Sequence, residues 1–81
     1  MSLENLNENV TKVLVNINAN VQSHINDSDL VSAGILDSLD IMRLVMELER
    51  TFEIEIEPAD VISANFESVA AISALVEKCK N

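Results

Sequence analysis

The chain has few of the residues that usually support catalysis, metal binding or cross-linking. Its 81 residues include one cysteine, one histidine, one glycine and one proline, with two phenylalanines and no tyrosine or tryptophan. A lone cysteine, Cys79, excludes an intramolecular disulfide and is typical of a reducing compartment. The scarcity of aromatic residues predicts an aliphatic core.

Positive charge and long apolar runs are also scarce. Fourteen acidic residues against five basic ones give a net charge of −9. This sign excludes nucleic acid as a partner, because phosphate contacts need basic residues, and it favours basic protein surfaces. No apolar run is long enough to enter a membrane, and no signal peptide is recognisable, so we expect a cytoplasmic protein.

The residues that are present indicate a small globular protein. Hydrophobic residues make up 48% of the chain and charged residues 23%, which is too apolar for a disordered segment. A chain of this size buries roughly 60% of its unfolded surface, enough for one modest core. We therefore expect one monomeric domain over residues 1–81.

Apolar residues recur at three- and four-residue spacing in several segments, as on the buried face of a helix. The first helix is predicted over residues 3–17 and the last after its cap at Ser68. A single helical turn is predicted for residues 58–63, because Pro58 suits a first helical position. The apolar faces of the first and last helices comprise Leu3, Leu6, Val10, Val13, Leu14 and Ile17, and then Val69, Ala71, Ile72, Leu75 and Val76.

The strongest helical pattern runs from Asp37 to about Thr51. Asp37 suits the N-cap, and Asp40, three residues later, completes an acidic variant of the capping box. Before it, residues 24–34 are predicted to form a loop whose apolar side chains pack against the core.

Two segments show a different period. Apolar and polar residues alternate over residues 15–26 and again over residues 52–57, which is typical of half-buried strands. Asparagine is a poor strand residue, and neither segment is bounded by hairpin turns. On local pattern alone, an α+β domain stays open beside an all-α one.

The helix after Asp37 has more apolar residues than one buried face needs. Its core stripe comprises Ile41, Leu44, Val45, Leu48 and Phe52. Leu39, Met42 and Met46 lie outside this stripe, and the two methionines share a face with Ser38. They are either core residues that fill gaps or a contact surface for partners, and we favour the second because four short helical segments can hardly enclose this helix.

Autonomous catalysis and metal binding are not indicated. His24 is the only imidazole available to activate a serine, and it is predicted to be a surface residue. Asp27 and Asp29 begin a stretch like a calcium loop, but serine occupies the twelfth position, where a bidentate glutamate is needed. The sequence has no Cys/His cluster for zinc.

The segments "GILDSLD", "LVMELE" and "FEIEI" resemble the acyl carrier protein superfamily, whose signature is Asp-Ser-Leu at the start of the second helix. The resemblance implies an all-α four-helix bundle with a long loop between helices 1 and 2 and a short helix 3. It implies that Ser38 receives 4′-phosphopantetheine from coenzyme A, through a separate transferase and Mg²⁺, and that the thiol of this group holds an acyl or aminoacyl cargo as a thioester. It also makes residues 52–56 a loop that leads from helix 2 to helix 3, and residues 15–20 mostly the end of helix 1.

The resemblance implies roles for further residues of the second helix. Asp37 is the motif acid that precedes the modified serine. The positions that match partner-contacting residues of the family are Leu39, Asp40, Met42, Met46 and Glu49. The "AGILDS" form is similar to that of stand-alone D-alanyl carriers and specialised carriers, whereas Arg43 and Arg50 replace acids typical of fatty-acid carriers.

The sequence therefore predicts a carrier that is not itself an enzyme. Its partners would be a phosphopantetheinyl transferase, an acyl- or aminoacyl-activating ligase, and a downstream synthase or transferase. The alternative is an acidic helical adaptor that binds a basic partner through Leu39, Met42 and Met46 and carries no prosthetic group.

Overall fold

The computed structural model describes residues 3–80, which form an all-α bundle. Its α-helices are α1 (Leu3–Ile17), α2 (Ser38–Phe52) and α3 (Val69–Cys79), and α1 packs against both of the others. Three 3₁₀ segments lie between them, at Ala19–His24, Pro58–Asp60 and Ser63–Phe66. No strand occurs within residues 3–80, so the all-α prediction is confirmed.

The core is aliphatic apart from Phe66, as the composition predicts. Each helix contributes the stripe that its periodicity indicates, although the side chain of Leu3 lies outside the described residues. The fully or nearly fully buried apolar residues are Leu6, Val10, Val13, Leu14, Val21, Leu30, Leu36, Leu44, Leu48, Ile56, Phe66, Ile72, Leu75 and Val76.

The alternating segments are not strands. Residues 15–17 complete α1, and Asn18 then begins the 3₁₀ segment Ala19–His24, so only half of residues 15–20 belongs to the helix. Phe52 is the last residue of α2, so the loop predicted over residues 52–56 begins one residue later. Glu53 ends the helix in the left-handed conformation (φ 53°), and residues 54–57 form the loop. Ile56 is buried while Glu55 and Glu57 are exposed, so alternation here marks a loop that lies along the core.

The short third helix differs from the prediction in extent. The 3₁₀ turn that starts at Pro58 ends at Asp60 instead of Ser63. Residues 63–66, for which the sequence pattern predicts no helix beyond Ser63, form a second 3₁₀ turn. The reason is tertiary, because Phe66 is fully buried and the Asn65 side-chain amide donates to the Asp60 carbonyl at 2.7 Å.

The long loop between α1 and α2 is tied to the core and to the start of α3. Leu30 and Leu36 are buried, and the Leu36 N–H donates to the Leu30 carbonyl at 2.9 Å. Gly34 lies between them with φ 79°, a conformation that side chains rarely adopt. The predicted packing of this loop against the core is confirmed.

Candidate functional site

The start of α2 is held by a reciprocal capping box. The Asp40 backbone N–H donates to the Asp37 carboxylate at 2.8 Å, and the Asp37 N–H donates to the Asp40 carboxylate at 3.3 Å. Asp37 has extended backbone and is the N-cap, as the sequence predicts. Two of the N–H groups at the start of the turn are thereby satisfied by acids that also complement the positive end of the helix dipole.

Ser38 follows the cap as the first helical residue and is exposed to solvent. Among the residues that the structure describes, its hydroxyl makes no hydrogen bond, so it is free to react with a group supplied from outside. Helix N-termini favour anionic groups, because unpaired N–H groups and the helix dipole both point there. The position therefore suits a serine that is to bear a phosphate ester.

A residue that sequence reasoning missed ties this turn to the end of α1. The side-chain amide of Asn18 donates to the Ile35 carbonyl at 3.0 Å and to the Asp40 carboxylate at 3.1 Å. Asparagine in this region is ambiguous in sequence, since it suits loops, caps and 3₁₀ starts alike. The only available signal was its position at the end of the helical pattern.

The outward face of α2 is apolar. Leu39 is 55% exposed, and Met42 and Met46 are each 63% exposed, whereas Leu44 and Leu48 are completely buried. The alternative that the methionines fill the core is therefore wrong. We call Leu39, Met42 and Met46 the apolar face of α2.

The two acids assigned to partner contact also hold the fold. Asp40 is half-buried within the capping box, and its carboxylate accepts from Asn18. Glu49 is half-buried, and its carboxylate accepts the Ile56 N–H at 3.0 Å, which fastens the loop after α2. Arg50 pairs with Glu47 at 2.7 Å, while Arg43 is exposed and makes no ion pair with the residues described.

Glu67 fixes the loop that leads to Ser38. Its carboxylate accepts the N–H groups of Val31 at 2.8 Å and Ser32 at 3.0 Å, together with the Ser32 hydroxyl. The Ser32 hydroxyl, followed by the Ser32 N–H, lowers the pKa of Glu67 against an opposing effect of desolvation, and the Val31 N–H adds to the lowering. The Leu30 N–H donates to the Glu67 carbonyl at 2.9 Å, so four loop groups bind this one residue.

Several other titratable groups form local contacts outside the start of α2. Asp60 accepts from Lys78 at 2.8 Å, and this hydrogen bond and charge raise the pKa of Lys78. Burial raises the pKa of the Cys79 thiol, and the charge of Asp60 adds to the effect. His24 pairs with Asp27 at 2.9 Å on the surface.

The structure also bears on metal binding and membrane insertion. Within residues 3–80, no group of three or more His, Cys, Asp or Glu side chains is arranged to hold a metal ion. Over the same range, no helix combines the length and apolarity needed to cross a membrane.

Comparison with known proteins identifies the family. Residues 12–76 match the family model described as a phosphopantetheine attachment site. The chain therefore belongs to the phosphopantetheine-binding carrier family, and it is an acyl or aminoacyl carrier with covalently attached 4′-phosphopantetheine. Proteins of this family work with a phosphopantetheinyl transferase and with ligases, and they are generally not catalytic.

Similar curated proteins are D-alanyl carrier proteins. That of Streptococcus uberis (strain ATCC BAA-854 / 0140J) is 37% identical over 59 residues, which cover 73% of this chain and 75% of the relative. Those of Streptococcus pyogenes serotype M5 (strain Manfredo) and serotype M1 are 36% identical over the same length and the same shares. No solved structure matches the chain.

Proposed function

We propose that Ser38 is the residue that bears 4′-phosphopantetheine. The observation that carries the proposal is the exposed hydroxyl at the first position of α2. It makes no hydrogen bond among the described residues, and Ser38 lies between the two acids of a completed capping box. Because Asp37 and Asp40 already satisfy the cap, Ser38 is not needed to hold the helix and is available for modification.

The chain itself contributes the nucleophile and its surroundings. The Ser38 oxygen forms a bond to the phosphorus that joins pantetheine to the nucleotide of coenzyme A, the bond to the nucleotide phosphate breaks, and adenosine 3′,5′-bisphosphate leaves. The Ser38 proton passes to the transferase, since no base within residues 3–80 is hydrogen-bonded to the hydroxyl. When attached, the group supplies a thiol that holds the cargo as a thioester.

We propose an amino acid as the cargo, with D-alanine as the first candidate. The support is the similarity to D-alanyl carrier proteins over 59 residues together with the "AGILDS" form of the motif. An adenylating ligase would then load the thiol, and a downstream transferase would remove the cargo. The protein would act as a monomer in the cytoplasm, where coenzyme A and ATP are available, and would have no catalytic activity of its own.

The apolar face of α2 is the surface we assign to these partners. Leu39, Met42 and Met46 are large, apolar and exposed beside Ser38, and methionine adapts to several binding surfaces. We include Asp40 and Glu49 as acidic contacts, since both remain partly exposed while they hold the fold.

Intact-protein mass spectrometry tests the assignment. The wild-type chain is incubated with coenzyme A, Mg²⁺ and a broad-specificity phosphopantetheinyl transferase, and a mass gain of one phosphopantetheine is expected. Ser38→Ala should gain nothing, while the matched control Ser28→Ala, exposed in the preceding loop, should gain as much as wild type. If the wild-type chain gains no mass under conditions that modify another carrier protein, the proposal is refuted. The alternative function, an adaptor without a prosthetic group, would then remain.

A further inference from the structure

We propose that Asn18 is a positioning residue for the modification of Ser38. Its side-chain amide connects the end of α1 to both sides of the turn that contains the serine. The inference rests on Ser38 being the attachment site. It adds a residue that lies outside the Asp-Ser-Leu motif, 20 positions before the serine.

The contacts of Asn18 use both donors and the oxygen of its side-chain amide. Its Nδ2 donates to the Ile35 carbonyl at 3.0 Å and to the Asp40 carboxylate at 3.1 Å, while its Oδ1 accepts the Asn20 N–H at 3.0 Å. Its own backbone N–H donates to the Leu14 carbonyl at 2.9 Å. One residue thus joins α1, through its backbone, to the following 3₁₀ segment, the loop exit and the start of α2, through its side chain.

The two groups that Nδ2 binds lie on either side of Ser38. Ile35 precedes the serine by three residues and Asp40 follows it by two. Asp40 is also half of the capping box, so the contact with Asn18 orients the carboxylate that receives the Asp37 N–H. Asn18 therefore fixes the turn in which Ser38 becomes the first helical residue, although it does not touch the serine.

Loss of this amide should disturb the turn and leave the rest of α2 in place. The helix is anchored further along by Leu44 and Leu48, which are completely buried four and eight residues after Asp40. If the turn samples several conformations, the one in which Ser38 can react is less populated. The rate of phosphopantetheine transfer is then lower. Met42 and Met46, the two most exposed residues of the apolar face of α2, lie beyond this turn, so binding of the transferase should be largely retained.

The expected result is a fall in kcat with little change in KM. For Asn18→Ala, we expect kcat of phosphopantetheine transfer to fall about tenfold, the order set by loss of a hydrogen bond to a charged acceptor. Asn18→Asp keeps an oxygen for the Asn20 N–H but has no donor and places a second carboxylate beside Asp40, so its kcat should fall further. Amide chemical shifts should change over residues 35–40 and stay constant over residues 44–52.

Two control variants separate positioning from general loss of stability. Asn20→Ala removes the same kind of side chain two residues later, where it is exposed and makes no side-chain hydrogen bond among the described residues. Ser68→Ala destabilises the fold by removing the cap of α3, in which Ser68 accepts the Ala71 N–H at 3.0 Å. Both should be modified with the kcat of wild type at a temperature where all variants are folded.

The outcomes distinguish the two proposals. Wild-type kcat for Asn18→Ala, a change confined to KM, or an equal fall for Ser68→Ala would overturn the role of Asn18 while leaving Ser38 as the attachment site. Absence of phosphopantetheine on wild type, or its presence on Ser38→Ala, would overturn both.

Discussion

The substitution Met46→Glu separates the binding role of the apolar face of α2 from its part in folding. Met46 is 63% exposed in the free protein. Complete burial of a methionine side chain is worth about 1.5–3 kcal/mol. The part still available to a partner is therefore worth about 1–2 kcal/mol, equivalent to roughly a 5- to 30-fold loss of affinity when it is removed.

The same exposure predicts little effect on stability. An exposed substitution away from caps and buried networks usually changes the free energy of unfolding by less than about 0.5 kcal/mol. By contrast, Leu48→Ala truncates a completely buried side chain two residues later and should cost about 2–5 kcal/mol, a large share of the stability of a domain of this size.

The measurements are helical circular dichroism with thermal unfolding, and initial rates of phosphopantetheine transfer against carrier concentration. Met46→Glu should retain the helical signal and the melting temperature of wild type while KM rises about 5- to 30-fold. Gln22→Glu, which adds the same charge at an exposed position outside α2, should leave KM unchanged. A cooperative loss of the fold in Met46→Glu, or an unchanged KM, would refute the reasoning.

Three further predictions concern Gly34, Glu67 and Cys79. Gly34→Ala should lower the free energy of unfolding by about 1 kcal/mol in urea titrations, because alanine is strained at φ 79°. Crowding is not the cause, since nothing lies within 4 Å of an added Cβ. Equal stability of the two proteins would contradict this. Hydrogen bonds lower the folded-state pKa of Glu67, so its ionised carboxylate contributes fully to stability above the unfolded pKa of about 4.3. This contribution is lost as pH falls through the lower folded-state pKa. Glu67→Gln should therefore reduce the dependence of the free energy of unfolding on pH, measured by urea titrations between about pH 6 and pH 3. Because burial raises its pKa, the Cys79 thiol should react with an aromatic disulfide more slowly than a free cysteine at neutral pH, and equal rates would indicate that the end of α3 opens.

Features set by neighbouring residues could be predicted from the sequence. The capping box of Asp37 and Asp40 and the buried stripes of the helices depend on spacings of three or four residues. The alternating pattern over residues 52–57 was ambiguous, because a loop lying along a core has the same period as a strand.

Features set by distant residues could not be predicted. The amide of Asn18 meets a carboxylate 22 residues away, and Glu67 binds a loop 36 residues away. Neither contact has a local signature, because asparagine and glutamate on a surface are usually solvated. The 3₁₀ turn over residues 63–66 likewise depends on the burial of Phe66, which only the assembled bundle determines.

The contacts of Glu67 have a consequence for the order in which the protein matures during synthesis. The loop before Ser38 is fastened by a residue that the ribosome adds 29 positions after the serine. A nascent chain that ends before Glu67 contains the complete Asp-Ser-Leu motif but lacks the carboxylate that holds Val31 and Ser32. The loop before Ser38 is therefore held in place only after Glu67 has been added to the chain.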